Sequence, residues 1–120
     1  MRKRNIDTIV IGYGPLLNEY TMTEQYVDLI KKAAPGATLV IVKNQEEWDQ
    51  RKEELGPRVE VVFGFRPATW FHEMPNLKWV QQAGATPKYF DRLVEIFTEN
   101  LDRYQAGEQM INVVDKKLGY

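Results

Sequence analysis

Few side chains in this 120-residue chain have the chemistry of a catalyst. The sequence contains no cysteine and no serine, which excludes disulfides, thiolate zinc sites and Ser or Cys nucleophiles. His72 is the only histidine, so a metal site built on several histidines is excluded as well. Threonine, lysine and carboxylate chemistry remains. We expect no catalytic residue and no metal site.

Phe65 and Arg66 are the best-placed candidates for a ligand pocket. Phe65 ends the mostly apolar run 59–65 and Arg66 follows it, and ligands of open α/β sheets bind at the carboxyl ends of strands. An arginine guanidinium can pair with a carboxylate through two hydrogen bonds. A surface loop accounts for Arg66 equally well. His72 lies beside Trp70 and Phe71, where a packed or exposed histidine is commoner than a general base.

The glycine-containing loop after the first apolar run does not match a nucleotide-binding fingerprint. Gly12 and Gly14 have the initial spacing, but the third glycine would fall at Leu17, and Pro15 lies inside the turn. A flavin phosphate loop is also disfavoured, because the first hydroxyl that could cap the next helix is Thr21. We therefore expect no bound cofactor.

The elements that must position these residues alternate between strand and helix. Short β-branched runs predict four strands, and helical spacing of apolar residues predicts helices near 21–34, 44–55 and 86–107. The predicted strands are 8–13, 38–42, 59–65 and 77–83. The alternation indicates a mostly parallel sheet of four to five strands with helices on both faces, a flavodoxin-like three-layer sandwich. The tail 110–114 fits either a short edge strand or a segment lying over the core.

Length and charge limit the remaining classes. A chain of 120 residues predicts one domain, 1–120, and a net charge of −1 gives no excess charge for binding nucleic acid or an anionic membrane. No apolar run approaches the ~20 residues that span a bilayer. The basic start, residues 1–4, is followed by Asp7 without a signal-peptide pattern, so we expect a cytoplasmic protein.

Two stretches resemble the D-2-hydroxyacid dehydrogenases, a family that includes phosphoglycerate dehydrogenase, glyoxylate reductase and formate dehydrogenase. Residues 75–85, PNLKWVQQAGA, are similar to the last strand and turn of that family's substrate-binding domain. Residues 99–108, ENLDRYQAGE, together with 112–115 and 119–120, resemble its C-terminal helix and tail. The resemblance implies that nearly the whole chain is a substrate-binding domain.

In the family a dinucleotide-binding domain is inserted between these two stretches, and here the chain passes from Ala85 directly to Thr86. We expect a deletion seam near 83–86, most simply an engineered truncation. The family's catalytic Arg, Glu and His and its pyrophosphate loop belong to the missing segment, and His72 does not match that histidine. The resemblance thus implies a parent that uses NAD or NADP on 2-hydroxy or 2-oxo acids, and an inactive chain here.

The resemblance also implies which residues face a substrate. Gly84 and Ala85 match the turn whose backbone amides hold the substrate carboxylate, although the glycine that usually follows is Thr86 here. Phe65 and Arg66 match the substrate-facing loop after the third strand. We expect at most weak binding of a small 2-oxo acid at these four residues.

Two other functions fit the same residues. The chain could be a natural one-domain flavodoxin-like binding or interaction module that uses the surface around Phe65, Arg66 and Trp70. It could also be a cofactor-independent carboxylate enzyme that uses Arg66 and His72, although one histidine without an orienting partner is a poor base. An open sheet edge further predicts self-association, including a homodimer that exchanges the terminal helix.

Overall fold

The computed structural model describes residues 5–13, 22–64, 72–81 and 90–109. Its strands are β1 (Thr8–Gly12), β2 (Thr38–Val42), β3 (Val59–Gly64) and β4 (Trp79–Gln81). Its helices are α1 (Glu24–Ala33), α2 (Gln45–Leu55) and α3 (Phe90–Ala106), with a 3-10 turn at Gly56–Arg58. The order along the chain is βαβαββα.

The four strands form one parallel sheet in the order β2-β1-β3-β4. Parallel strands need crossover connections, and α1 and α2 provide the first two. The mixed, all-parallel architecture confirms the predicted α/β class and is compatible with a flavodoxin-like layered fold. The strands β1, β2 and β3 are rich in β-branched residues, which suits strands covered on both faces.

Two separate clusters of buried side chains lie on the two faces of the sheet. On β1, Ile9 and Ile11 belong to the first cluster and Val10 to the second, as expected for side chains that alternate along a strand. Ile30 of α1 and Phe97 of α3 pack in the first cluster. Trp48 of α2 packs in the second. The helices therefore cover both faces, as the sequence predicts.

Aromatic rings join α3 to the sheet. Phe97 stacks on Phe63 with ring centroids 4.3 Å apart, and Trp79 lies 5.5 Å from Phe97 and 5.6 Å from Tyr104. All four side chains are buried. The strand β4 and the helix α3, which lie on either side of residues 82–89 in the sequence, therefore share one core.

The helix ends follow their local sequence with one exception. Asn44 caps α2 by accepting a 2.9 Å hydrogen bond from the Glu47 amide, as its spacing predicts. Gly107 ends α3 with a φ of 76°, a left-handed conformation suited to glycine. The exception is α1, whose N-cap is Thr23 rather than Thr21 and whose N-cap side chain makes no capping hydrogen bond.

Strand ends differ from prediction by a few residues. The first strand ends at Gly12, one residue earlier than predicted, and the fourth begins at Trp79, two residues later than predicted. The seam at 83–86 and the tail at 110–114 lie outside the described residues. No helix within the described part of the chain is long and apolar enough to cross a membrane.

Candidate ligand site at the carboxyl edge of the sheet

The strand order places a topological switch point between β1 and β3. From β1 the chain crosses to β2 on one side, and from β2 it returns to β3 on the other side of β1. From β3 the chain continues to β4, away from β1. The connections that follow β1 and β3 therefore lead in opposite directions across the sheet, which opens a crevice where ligands of such sheets bind. The candidate site is therefore the carboxyl edge above β1 and β3.

Gly12 and Gly64 end these two strands and are partners in the β1–β3 register. Both are buried, and neither adds a side chain to this edge. Gly64 has a φ of 104°, a conformation that residues with a Cβ rarely adopt. The backbone at Gly64 can consequently approach a ligand closely.

Polar groups flank this glycine pair on the β2 side. The Tyr13 amide donates to the Val42 carbonyl at 2.9 Å, which holds the chain against β2 beyond the last strand residue. Lys43 follows β2 with an exposed side chain, and its amide donates to Glu47 Oε1 at 2.9 Å. The Lys43 ammonium is a cation positioned one strand from the switch point.

A buried amide pair lies on the β4 side. Asn100 of α3 donates from Nδ2 to Oε1 of Gln81 at 3.3 Å, and both side chains are buried. Gln81 is the last residue of β4 and pairs with Phe63 in the sheet register. Because buried amides need partners, this bond fixes where α3 meets the carboxyl edge.

The four predicted site residues, Phe65, Arg66, Gly84 and Ala85, lie outside the described residues, as do Trp70 and Phe71. In the sequence, Phe65 directly follows Gly64, and Gly84 comes three positions after Gln81. His72 is described and is exposed.

Glu73, next to His72, is fixed against α2 by what we term the Glu73 clasp: Trp48, Lys52 and Glu73. The Trp48 indole donates to Glu73 Oε1 at 2.9 Å, and Lys52 Nζ lies 2.9 Å from Oε2. These two donors hold the pKa of Glu73 below its ordinary value. Gly56 sits so close that an added Cβ would lie 2.2 Å from the Glu73 carbonyl oxygen.

The opposite, amino edge of the sheet is occupied by internal polar contacts. Glu60 accepts a short hydrogen bond from the Tyr104 hydroxyl, and its other oxygen accepts from the Asp7 amide at 3.0 Å. Arg58 Nε lies 3.4 Å from Asp7 Oδ1. These groups already satisfy one another, which favours a structural role.

A groove of about 370 Å³ runs along the outer face of α3. Its lining includes the carboxylates of Glu95, Glu99 and Asp102, and Arg92 and Arg103 pair with the first two at 3.3 and 3.0 Å. Such an acidic surface repels a carboxylate ligand. Among the described residues, no three histidine, aspartate or glutamate side chains are grouped as metal ligands.

Two features of this region were not predicted from the sequence: the Gln81–Asn100 pair and the Glu73 clasp. Asn100 had a detectable signal, because it falls three residues after Phe97 on the apolar stripe of the terminal helix. Glu73 had no such signal. No protein-family model, curated protein or solved structure matches the chain.

Proposed function

We propose that this chain is a substrate-binding domain of the D-2-hydroxyacid dehydrogenase type, which binds small 2-oxo or 2-hydroxy acids weakly and catalyses no oxidoreduction by itself. The observation that carries the proposal is the switch point between β1 and β3, with Gly12 and Gly64 as partners at its carboxyl edge. In the sequence, Phe65 and Arg66 directly follow Gly64.

The binding chemistry would come from a carboxylate held by cationic and backbone donors. Arg66 offers a bidentate partner, and the turn containing Gly84 and Ala85 would offer backbone amides. Lys43 adds positive charge on the β2 side of the same edge. Phe65 would pack against the apolar part of the ligand. In the family the other domain forms one wall of the pocket, and that domain is absent from this chain. We therefore expect a Kd in the millimolar range, which corresponds to about 4 kcal/mol of binding free energy.

The proposed deletion of a cofactor domain is compatible with the core. Trp79 of β4 packs on Phe97 and Tyr104 of α3, and Gln81 bonds to Asn100. These contacts join β4, before the proposed seam, directly to α3, after it. They require no inserted domain. Neither NAD nor NADP binding is expected.

The test follows NADH and NADPH absorbance at high protein concentration with glyoxylate, hydroxypyruvate or pyruvate. We expect no oxidation above a protein-free background. The Arg66→Gln variant gives the control for trace contamination, because a contaminating dehydrogenase is unaffected by that substitution. Oxidation that Arg66→Gln abolishes would overturn the proposal and favour an enzyme that uses residues of this chain.

A further inference from the structure

The outer edge of β2 lacks the residues that usually prevent an edge strand from pairing with another chain. β2 reads TLVIV, five residues without proline or charge. It is an edge strand of the four-stranded sheet, and within the described ranges no strand pairs with its outer side. Proteins usually protect such edges with lysine, proline, bulges or a covering element, and a long apolar edge without them pairs with another chain.

The hydrogen bonds of β2 show which groups face outward. The Thr38 amide donates to the Asp7 carbonyl at 2.8 Å, and the Val42 carbonyl accepts from Tyr13 at 2.9 Å. Alternate residues of a strand turn their N–H and C=O groups to the same side, so Thr38, Val40 and Val42 face β1. The N–H and C=O groups of Leu39 and Ile41 consequently face away from the sheet.

We infer that this edge pairs with the β2 strand of a second copy of the chain in antiparallel register. With Val40 at the two-fold axis, Leu39 of one copy lies opposite Ile41 of the other. Both residues present outward groups, so each such pair exchanges two hydrogen bonds. The two-fold axis generates this Leu39–Ile41 pair twice. The outward N–H and C=O groups of both residues in both copies are then hydrogen-bonded. The result is one continuous sheet across the dimer.

Helix α1 is positioned to complete this interface. It joins β1 to β2, and the half-buried side chains of Leu39 and Ile41 pack in the same cluster as Ile30. Strands lie about 4.8 Å apart, so a helix over β1 and β2 would lie about 10 Å from its copy, a usual helix-packing distance. The two copies of α1 would run antiparallel.

Charges on α1 complement each other in this arrangement. Glu24, Val27 and Lys31 form one stripe at helical spacing, with Glu24 and Lys31 exposed and Val27 half-buried. In a right-handed β1–α1–β2 crossover, this stripe is on the side of α1 toward the outer edge of β2. The opposite side of α1 faces α3, because the Gln105 side chain of α3 donates to the Ala33 carbonyl of α1 at 2.7 Å. Across the two-fold axis, Glu24 of each copy meets Lys31 of the other.

The test measures the monomer–dimer equilibrium of the full chain by sedimentation over a range of concentrations. We expect a dimer whose dissociation constant rises about tenfold in Lys31→Glu, because two attractive contacts become repulsive. The double variant Glu24→Lys/Lys31→Glu restores dimerisation, since the pairs are re-formed with reversed signs. Lys32→Glu is the matched control, an equal charge change on another side of α1, and leaves dimerisation nearly unchanged.

A second variant examines the strand itself. Ile41→Lys places a charge on the pairing edge and shifts the chain to monomer, with circular dichroism as the check that it remains folded. A chain that stays monomeric up to its solubility limit overturns the inference. A dimer that responds equally to Lys31→Glu and Lys32→Glu, or to neither, also overturns it and favours exchange of the terminal helix.

Discussion

Gly12 and Gly64 are direct partners at the carboxyl ends of β1 and β3, the two strands between which the chain reverses its direction of travel across the sheet. Neither places a side chain at the edge where ligands of open α/β sheets bind. Gly64 additionally requires a φ of 104°. The residue whose backbone conformation favours glycine therefore lies at the edge where we propose that the ligand binds.

Gly64→Ala should destabilise the domain by about 1–2 kcal/mol, because alanine is strained at positive φ. Chemical denaturation measures this loss. Gly107→Ala is the matched control, since Gly107 has a φ of 76° and an added Cβ there would meet nothing within 4 Å. Both variants should lose comparable stability, but only Gly64→Ala should weaken binding of a 2-oxo acid. Equal binding by both variants would contradict the placement of the site.

Gly56→Ala should cost about 1–3 kcal/mol for a different reason, namely overpacking. The added Cβ would lie 2.2 Å from the backbone oxygen of Glu73, which has to move. At Gly36 the nearest atom to an added Cβ is Asn5 Oδ1 at 3.9 Å, an ordinary contact. Gly36→Ala should therefore leave the thermal midpoint nearly unchanged. A similar effect of the two substitutions would contradict the packing of Glu73 on Gly56.

The Glu73 clasp predicts a loss of stability in acid. Hydrogen bonds from Trp48 and Lys52 lower the pKa of Glu73 in the folded state. The unfolded state then binds the proton more tightly, so this contribution is complete above the ordinary glutamate pKa of about 4.3 and is lost as pH falls through the lower folded value.

Unfolding free energies measured from pH 7 down to acid test this prediction. Glu73→Gln should lower stability at neutral pH by about 1 kcal/mol and flatten the acid part of the profile. Glu54→Gln, at an exposed position of α2, is the charge-matched control. An unchanged profile in Glu73→Gln would show that the clasp contributes nothing to the folded state.

The Gln81–Asn100 bond should appear as an energetic coupling. Gln81→Leu and Asn100→Leu, alone and together, form a double-mutant cycle measured by denaturation. Each single variant leaves one buried amide without this partner, so we expect the two losses to be non-additive by about 1 kcal/mol. Additive losses would mean that the 3.3 Å contact does not hold α3 to the end of β4.

Local sequence was enough to predict most of the architecture. The runs at 38–42 and 59–64 are β-branched and apolar, and they form β2 and β3. Asn44 and Gly107 predict the start of α2 and the end of α3, because capping depends on neighbours within a turn. The alternation of strand and helix then predicts that the strands run parallel.

Long-range polar contacts could not be predicted in the same way. Glu73 meets Trp48 across 25 sequence positions, and Tyr104 meets Glu60 across 44. Glutamate in a loop resembles any solvated carboxylate until the tertiary fold brings a buried indole to it. Gly12 and Gly64 fall near the ends of two predicted strands, 8–13 and 59–65, and only the strand order shows that they are neighbours.

A titration of the isotopically labelled chain with glyoxylate, followed by backbone amide chemical shifts, tests the central claim most directly. We predict saturable shifts at Gly12, Tyr13, Gly64 and Gln81, on the carboxyl edge, with a Kd in the millimolar range. The amides of Asp7 and Lys78, on the amino edge, should remain unchanged. Shifts confined to the amino edge, or no saturable shift at all, would contradict the proposed ligand site.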